Sequence, residues 1–456
     1  CKGASFKEDY LKSAIAQGAI VYLSQQKYDD VDIPYIIVND IRKAMALTAR
    51  WFFGNPGDNM TKVGITGTKG KTTVTFVMKD ILDKYTDNRC SAFSTHEIDV
   101  GTKVFETTLT TPEPIELQTY FDMAVDEGCT HCIMEVSSQA MKMNRIYGEH
   151  YKVGVFTNID YDHISPTEHA SMEDYLGCKV SFLKQCDNVV LYSDTRYFET
   201  IYNEVRDKHV VVYGSKESVE KLMSRDDDFF EKDTDFASIH NEDLTDHNSY
   251  FELIYGGENR AYNTNLIGDY NVENIVAAII SSLLIGIPND QIRSSIRDVY
   301  VPGRLQVYHW KDRTFMIDYA HNYISMYRLY EMVKKTMKPK SITVVFGCGG
   351  ERYKKRREDM GRLAEQYADK VVLTMEDPGF ESCEEICKEI KQYITKPCYI
   401  IVDREQALTR ALDEPGELVI TTGKGIESTQ RINGTFVQCH SDAQVIEHWL
   451  TEHPEE

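Results

Sequence analysis

The chain has 456 residues, 42% of them apolar and 27% charged, with 72 acidic against 51 basic side chains and a formal charge of −21. That length predicts about three domains with sizeable cores, and the acidic surplus excludes a general nucleic-acid binder, which needs basic charge against the phosphate backbone. The longest apolar runs are strand-sized, so no membrane span is expected. The eleven cysteines are scattered. Cys129-Thr-His-Cys132 has no second pair at finger spacing, so free thiols in a reducing cytoplasm are expected.

Residues 1–58 read as a small α/β domain, with a helix at EDYLKSAIAQGA, strands at AIVYLS and PYIIVND, and a helix at IRKAMALTARWFFG. The chain opens at Cys1, without Met, inside this unit, which reads as truncated at its start. Asn55-Pro-Gly-Asp-Asn59 is turn-rich and reads as a linker.

Residues 59–300 form the largest predicted domain. Val63 to Thr66 end a buried strand, Gly67 to Gly70 make a glycine loop, and TTVTFVMKDIL has helical spacing. Loop amides and a helix N-terminus then converge on one spot, where Lys71 adds a positive charge: a phosphate cradle. The Thr72 hydroxyl is placed to hold Mg²⁺ beside the phosphates. Ile65 stands where the usual phosphate-loop pattern has its first Gly. Strands at SAFSTHEIDV, HCIMEV, VGVFTNI and NVVLYS alternate with helices, which predicts a parallel sheet covered on both faces. Residues 215–262, with Asp226-Asp-Asp228, read as an inserted antiparallel patch, and a helix from Val272 to Ile285 closes the domain.

Residues 301–456 read as a second α/β domain, an open Rossmann-like sheet with strands at TFMIDYA, SITVVFGCG, KVVLTME, YIIVD and ELVITTG. Gly347-Cys-Gly-Gly350 lacks the spacing and acidic partner of a dinucleotide fingerprint. The fold class is therefore α/β in three domains, with a central P-loop ATPase-like parallel sheet.

Ligands of open α/β sheets bind beyond the carboxyl ends of the strands. Glu135 ends one central strand, His163 follows another, and Lys179 lies on the next helix. Glu135, Thr72 and phosphate oxygens suit an octahedral Mg²⁺ site.

At these residues the chain resembles the Mur ligases, the ATP-dependent amide-forming enzymes of peptidoglycan precursor synthesis. It looks most like the type that adds the third peptide residue to UDP-N-acetylmuramoyl-L-alanyl-D-glutamate. The matching stretches are GTKGKTT (67–73), TTPEP (110–114), MEVSS (134–138), FTNIDYDH (156–163), MEDYLGCK (172–179), GDYNVENIVAA (268–278), VPGR (301–304), DYAH (318–321), FGCGGER (346–352) and GKGIE (423–427).

The resemblance implies ATP contacts at Gly67, Thr68, Lys69, Gly70, Lys71, Thr72, Thr73, Asn271, Arg304 and Asp318. It implies Mg²⁺ ligation by Thr72, Glu135, His163 and a carbamylated Lys179, with Lys71, His163 and Lys179 acting in catalysis. Thr110, Thr111, Ser137 and Arg145 would contact the UDP-muramoyl dipeptide, and Glu376, Asp377, Gly423 and Glu427 the incoming amino acid. Residues 1–58 would be the UDP-binding domain, ATP would lie between the central and C-terminal domains, and hinges would sit near 56–60 and 297–302. A monomer without nucleic-acid or membrane partners is expected.

The sequence departs from the pattern at Gln139 and Met143, where relatives often carry His and Gln, and at Glu376-Asp-Pro-Gly379. Enzymes adding meso-diaminopimelate carry Asp-Asn-Pro-Arg there. A distal carboxylate needs the Arg fork, which Gly379 lacks, whereas Glu376, Asp377 and Glu427 favour a distal ammonium. L-lysine is the expected substrate. The alternatives are meso-diaminopimelate, with Arg352 or Arg356 supplying the cation, and a non-catalytic nucleotide-binding paralogue.

Overall fold

The computed structural model describes residues 6–107, 109–165, 168–225, 229–351 and 354–454. Asp226-Asp-Asp228, Arg352 and Cys1 lie outside the described residues. The chain divides into two compact units. One comprises residues 1–242, 250–264 and 270–299; the other comprises 243–249, 265–269 and 300–456.

The first unit is built on the strand Thr61–Thr66, which pairs in parallel with His131–Glu135 on one side and Tyr151–Phe156 on the other. Lys62 to Thr66 are buried in succession, so this strand is covered on both faces, as expected for a central parallel strand. The helix Lys71–Thr86 follows the glycine loop. Val74, Val77, Met78, Ile81 and Leu82 recur on one stripe and are all fully buried, so tertiary packing rather than propensity holds it. It ends where Asp87 and Asn88 take left-handed φ angles of 57° and 60°.

Eleven strands of the described residues form this sheet, in the order 258–264, 249–255, 234–244, 209–215, 186–192, 151–156, 61–66, 131–135, 90–93, 97–99 and 104–106. Two readings change here. Residues 215–262 are no separate patch: His209–Ser215, unread from the sequence, pairs in parallel with Cys186–Tyr192 and with Thr234–Leu244, so those strands extend the central sheet. SAFSTHEIDV is two strands, Cys90–Phe93 and Glu97–Asp99, folded back antiparallel. The Ser94 hydroxyl makes that corner, accepting from the His96 and Glu97 amides at 3.1 Å each.

Residues before the sheet share this unit. The helix Ile41–Phe52 is capped by Asp40 and carries Arg50 onto buried Glu149, which also pairs with Lys62 and accepts from Gln118 at 2.9 Å. Residues Pro56–Asn59, read as a linker, form a single 3₁₀ turn with Pro56 and Gly57 buried.

The second unit carries a six-stranded sheet in the order 306–310, 313–318, 418–422, 342–346, 370–373 and 398–400. The first pair is antiparallel and the rest are parallel. The edge strand Gln306–Trp310 and the hairpin Thr429–Ile432/Thr435–Gln438 were not read from the sequence. Beneath the carboxyl end of Leu418–Thr422, the buried Arg404 guanidinium forks onto Asp442 at 2.7 and 2.6 Å and donates to the Thr422 carbonyl at 2.8 Å. That fixes the strand end from which the 423–427 loop departs.

Candidate active site

The loop Gly67–Gly70 has the two glycines its shape demands. Gly67 has φ +151°, and a Cβ there would lie 1.9 Å from the Thr157 hydroxyl. Gly70 has φ +88°, and a Cβ would lie 2.3 Å from Asn274 Oδ1. Side chains are excluded at both by contact as well as by backbone angle.

The neighbouring strand end holds the loop. Thr157 Oγ1 donates to the Lys69 carbonyl at 2.6 Å, and Asn158 Nδ2 donates to the same oxygen at 3.1 Å. Asn158 Oδ1 accepts from the Lys69 amide at 2.9 Å, and the Asn158 carbonyl from the Thr68 amide at 2.9 Å. The FTNIDYDH stretch thus shapes the phosphate loop, a role the sequence did not reveal. The helix starts at Lys71, so its first-turn amides lack intrahelical acceptors and face the loop's concave side.

Lys71 and Lys179 are brought together. Lys71 Nζ reaches the Gly67 carbonyl at 3.0 Å, and Lys179 Nζ reaches the same oxygen at 2.8 Å. Lys179 is only 2% exposed. Burial, with the Lys71 charge adding to it, drives the Lys179 amine well below the usual lysine range. Tyr175, missed by the sequence reading, ties this cluster together. Its ring lies 4.7 Å from Lys179 Nζ, 5.8 Å from the His163 ring and 5.2 Å from the His169 ring, and its hydroxyl meets Thr68 Oγ1 at 3.0 Å. His163 is half exposed, has φ +57°, and faces Glu168 Oε1 at 3.2 Å. Thr72 and Thr73 are buried in the first helical turn, and Asn271 is buried on the helix Asp269–Leu284, which also presents Asn274 to the loop.

Glu135 stands opposite Ile65, one strand over. Its carboxylate is fully buried and accepts from the Thr95 amide at 3.1 Å and the Thr95 hydroxyl at 3.0 Å. Both donors are neutral groups of one residue. Thr95 Oγ1 also reaches Thr110 Oγ1 at 3.2 Å. Two residues expected on the dipeptide make contacts within the protein. Thr111 is fully buried; its hydroxyl donates to the Glu135 carbonyl at 2.8 Å and accepts from the Ser137 amide at 3.1 Å. Arg145, 8% exposed, pairs with Glu113 at 2.9 Å and donates to the Thr111 carbonyl at 3.1 Å. Both brace the TTPEP turn. Ser137 caps the following helix, accepting from the Ala140 amide at 3.1 Å.

His169, Asp174 and Cys178 place ligand-type atoms within 4.8 Å of one another. Their bonds are already made: Asp174 holds Lys142 at 2.6 Å, and His169 Nε2 holds Ser138 at 2.9 Å. The ten described cysteines are unpaired. Burial pushes the Cys129 thiol up to about 11 and the Cys132 thiol up to about 12, as core thiols rather than metal ligands.

In the second unit, Asp318 accepts from the Leu305 amide at 3.0 Å and the Ala320 amide at 2.8 Å, knitting VPGR to DYAH. The Arg304 guanidinium lies 4.7 Å from the Tyr319 ring, and the Tyr319 hydroxyl donates to Glu427. Glu376 is 8% exposed, and burial raises its carboxyl above the ordinary range despite Arg356. Arg356 donates to Glu376 Oε1 at 3.1 Å, while Oε2 is buried without a hydrogen-bond partner beside Gly423. Asp377 and Glu427 share the Lys424 ammonium at 3.0 and 2.6 Å. Among the described residues the three carboxylates are therefore opposed by Arg356, one of the two arginines weighed from the sequence, and by Lys424. Gly379 has φ +61°, and a Cβ there would lie 2.5 Å from Glu351 Oε2.

Two family models match the chain: the Mur ligase middle domain over residues 65–282, and the Mur ligase glutamate ligase domain over residues 303–425. The UDP-N-acetylmuramyl-tripeptide synthetase of Limosilactobacillus reuteri is 36% identical over 99% of this chain and 90% of its own length. The UDP-N-acetylmuramoyl-L-alanyl-D-glutamate–L-lysine ligase of Streptococcus pneumoniae is 38% identical over 98% of this chain and 89% of its own. Among solved structures, a UDP-N-acetylmuramoyl-L-alanyl-D-glutamate–2,6-diaminopimelate ligase superposes with a TM-score of 0.66 at 23% identity, covering 98% of this chain and 90% of that one. A folylpolyglutamate synthase of Mycobacterium tuberculosis, solved with ADP and AMPPCP, superposes with a TM-score of 0.64 at 15% identity, covering 91% of this chain and 96% of that one. These two likenesses speak for the fold.

Proposed function

The chain belongs to the Mur ligase family, and from that premise we propose that it adds L-lysine to UDP-N-acetylmuramoyl-L-alanyl-D-glutamate in peptidoglycan precursor synthesis. The observation that carries the choice of amino acid is the charge count around Glu376. Among the described residues, Glu376, Asp377 and Glu427 face Arg356 and Lys424, with Arg404 acting on Glu376 from its own pair with Asp442, and Arg356 is committed to Glu376. One further positive charge completes the set, and the distal ammonium of lysine supplies it; a distal carboxylate would be repelled. The relatives named L-lysine ligases agree with this reading.

The reaction is an acyl transfer in two steps. The D-glutamate carboxylate attacks the γ-phosphorus of ATP, giving an acyl phosphate and ADP. The amino group then attacks the acyl carbon, loses a proton and expels phosphate. The first step joins like charges, and the loop amides with Lys71 supply the opposing charge at the phosphates. Glu135, Thr72 and His163 offer oxygen and imidazole donors that fit Mg²⁺. Bound there, Mg²⁺ would shield the triphosphate.

Lys179 fits as a carbamate. Burial lowers the affinity of its amine for a proton, which favours the neutral form that attacks CO₂ with loss of a proton. The resulting carboxylate-like group would no longer oppose Lys71. Asn271, Arg304 and Asp318 are assigned to the nucleotide, and Thr110 and Ser137 to the dipeptide. Residues 1–58 are assigned to the uridine end, and the enzyme acts as a cytoplasmic monomer. Among the described residues, no helix is long and apolar enough to cross a membrane.

The test is phosphate release by the purified chain with ATP, Mg²⁺, the UDP-dipeptide and L-lysine, omitting each in turn. Release that requires both UDP-dipeptide and lysine supports the proposal. Release with neither, or none under any combination, refutes it.

A further inference from the structure

We propose that Lys424 is a positioning residue for the added amino acid, one that holds Glu427 and Asp377 in place before that substrate arrives; this rests on the lysine-adding reading above. Lys424 follows Gly423, whose φ of +99° turns the chain sharply beyond the strand Leu418–Thr422. Its side chain is 3% exposed, and its ammonium donates to Asp377 Oδ1 at 3.0 Å and to Glu427 Oε2 at 2.6 Å. Burial alone would lower its affinity for the proton, but Glu427 and Asp377 outweigh it, and the ammonium is held above its ordinary range. It is therefore a permanent charge between two loops.

Each carboxylate has a second anchor. Asp377 Oδ1 also accepts from the Arg431 amide at 2.9 Å, and Glu427 Oε1 accepts from the Tyr319 hydroxyl. The Tyr319 ring in turn carries the Arg304 guanidinium. One ammonium thus fixes the 376–379 loop against the 423–427 loop, and Tyr319 sets the remaining oxygen of Glu427.

Two consequences follow for the substrate. Without Lys424, Asp377 and Glu427 would repel each other and keep only their separate anchors on the Arg431 amide and the Tyr319 hydroxyl, because among the described residues Lys424 is the group that joins them directly. The local balance would also change from three carboxylates against two cations to three against one, so that a single distal ammonium would no longer complete it. Neither change touches the phosphate loop's own hydrogen bonds, which lie in the other compact unit.

The experiment is steady-state phosphate release by the full chain with the UDP-dipeptide, ATP and L-lysine, comparing wild type with Lys424→Met, Lys424→Arg and Tyr319→Phe. Lys424→Met is expected to raise the KM for L-lysine by about tenfold or more, while the KM for ATP stays within about threefold. Lys424→Arg should recover most of that loss, because it keeps the charge. Tyr319→Phe, which removes one hydroxyl, should raise the same KM by a smaller factor. If Lys424→Met does not fold, Lys424→Gln and Tyr319→Phe carry the test, and Lys424→Arg remains the charge-keeping control. Unchanged lysine KM values in the folded variants would overturn the proposal, as would an ATP KM that rises in step with that for lysine. A wild-type protein that transfers no amino acid overturns the functional reading and this proposal together. A wild-type protein that transfers lysine while the variants behave alike overturns this proposal alone.

Discussion

Asn158 offers the sharpest perturbation of the phosphate loop, because its side-chain amide clamps both backbone groups of one residue, Lys69. Oδ1 accepts from the Lys69 amide at 2.9 Å and Nδ2 donates to the Lys69 carbonyl at 3.1 Å. In Asn158→Ala the Lys69 carbonyl keeps Thr157, but the Lys69 amide loses its side-chain partner. Two hydrogen bonds at about 1 kcal/mol each give an expected destabilisation of about 2 kcal/mol. The loop displacement that follows should cost turnover about tenfold or more, a barrier rise of about 1.4 kcal/mol. Asn158→Asp is the control. It keeps the acceptor for the Lys69 amide but turns a second acceptor toward the Lys69 carbonyl, so it should be no better than Ala. Urea denaturation and phosphate release measure the two effects. If Asn158→Ala loses less than about 0.5 kcal/mol and keeps its turnover, or if Asn158→Asp behaves as wild type, the clamp does not shape the loop.

Gly70→Ala should abolish turnover in a protein that still folds, since a Cβ would meet Asn274 Oδ1 at 2.3 Å; Gly70→Ala with Asn274→Gly should recover part of the activity, and no recovery would place the cost in the φ angle alone. Arg404→Met should destabilise by about 3–5 kcal/mol, because it leaves Asp442 buried and unpaired, as chemical denaturation would show. Lys179 gives a pH signature. Its amine takes a proton near 10.5 when unfolded and far lower when folded. Between those values the unfolded chain binds the extra proton, so stability falls as pH falls. In CO₂-free buffer, Lys179→Met should lose less stability than wild type between pH 10 and pH 7; equal slopes would contradict the burial argument.

The phosphate loop was legible in the sequence because glycine spacing, strand and helix are local signals. Gly67, Gly70 and Lys71 needed no partner from elsewhere in the chain to be recognised. The clamp was not legible: Asn158 acts on Lys69 across a parallel pairing, and nothing in FTNID states which loop it will face. Tyr175 was hidden for the same reason, on a helix whose apolar spacing made it read as core. Thr111 and Arg145 show the converse limit. They lie in matching motifs, and the structure adds the bonds by which they brace the TTPEP turn, which the motifs do not state. The strand His209–Ser215 was missed beside an acidic stretch that drew attention to itself, and with it the continuity of the central sheet. In the C-terminal unit the carboxylates at 376, 377 and 427 were visible, and so was Arg356; that Lys424, inside GKGIE, bridges Asp377 and Glu427 was not, because the bridge depends on how two loops meet.

The most direct test of the account is a competition in which L-lysine, L-ornithine, L-alanine and meso-diaminopimelate are supplied together at equal concentration with ATP and the UDP-dipeptide, and the product is identified by mass. The account predicts the lysine tripeptide as the main product, with Glu376→Gln reducing the preference for lysine. A diaminopimelate product, or a lysine preference that Glu376→Gln leaves intact, would contradict it.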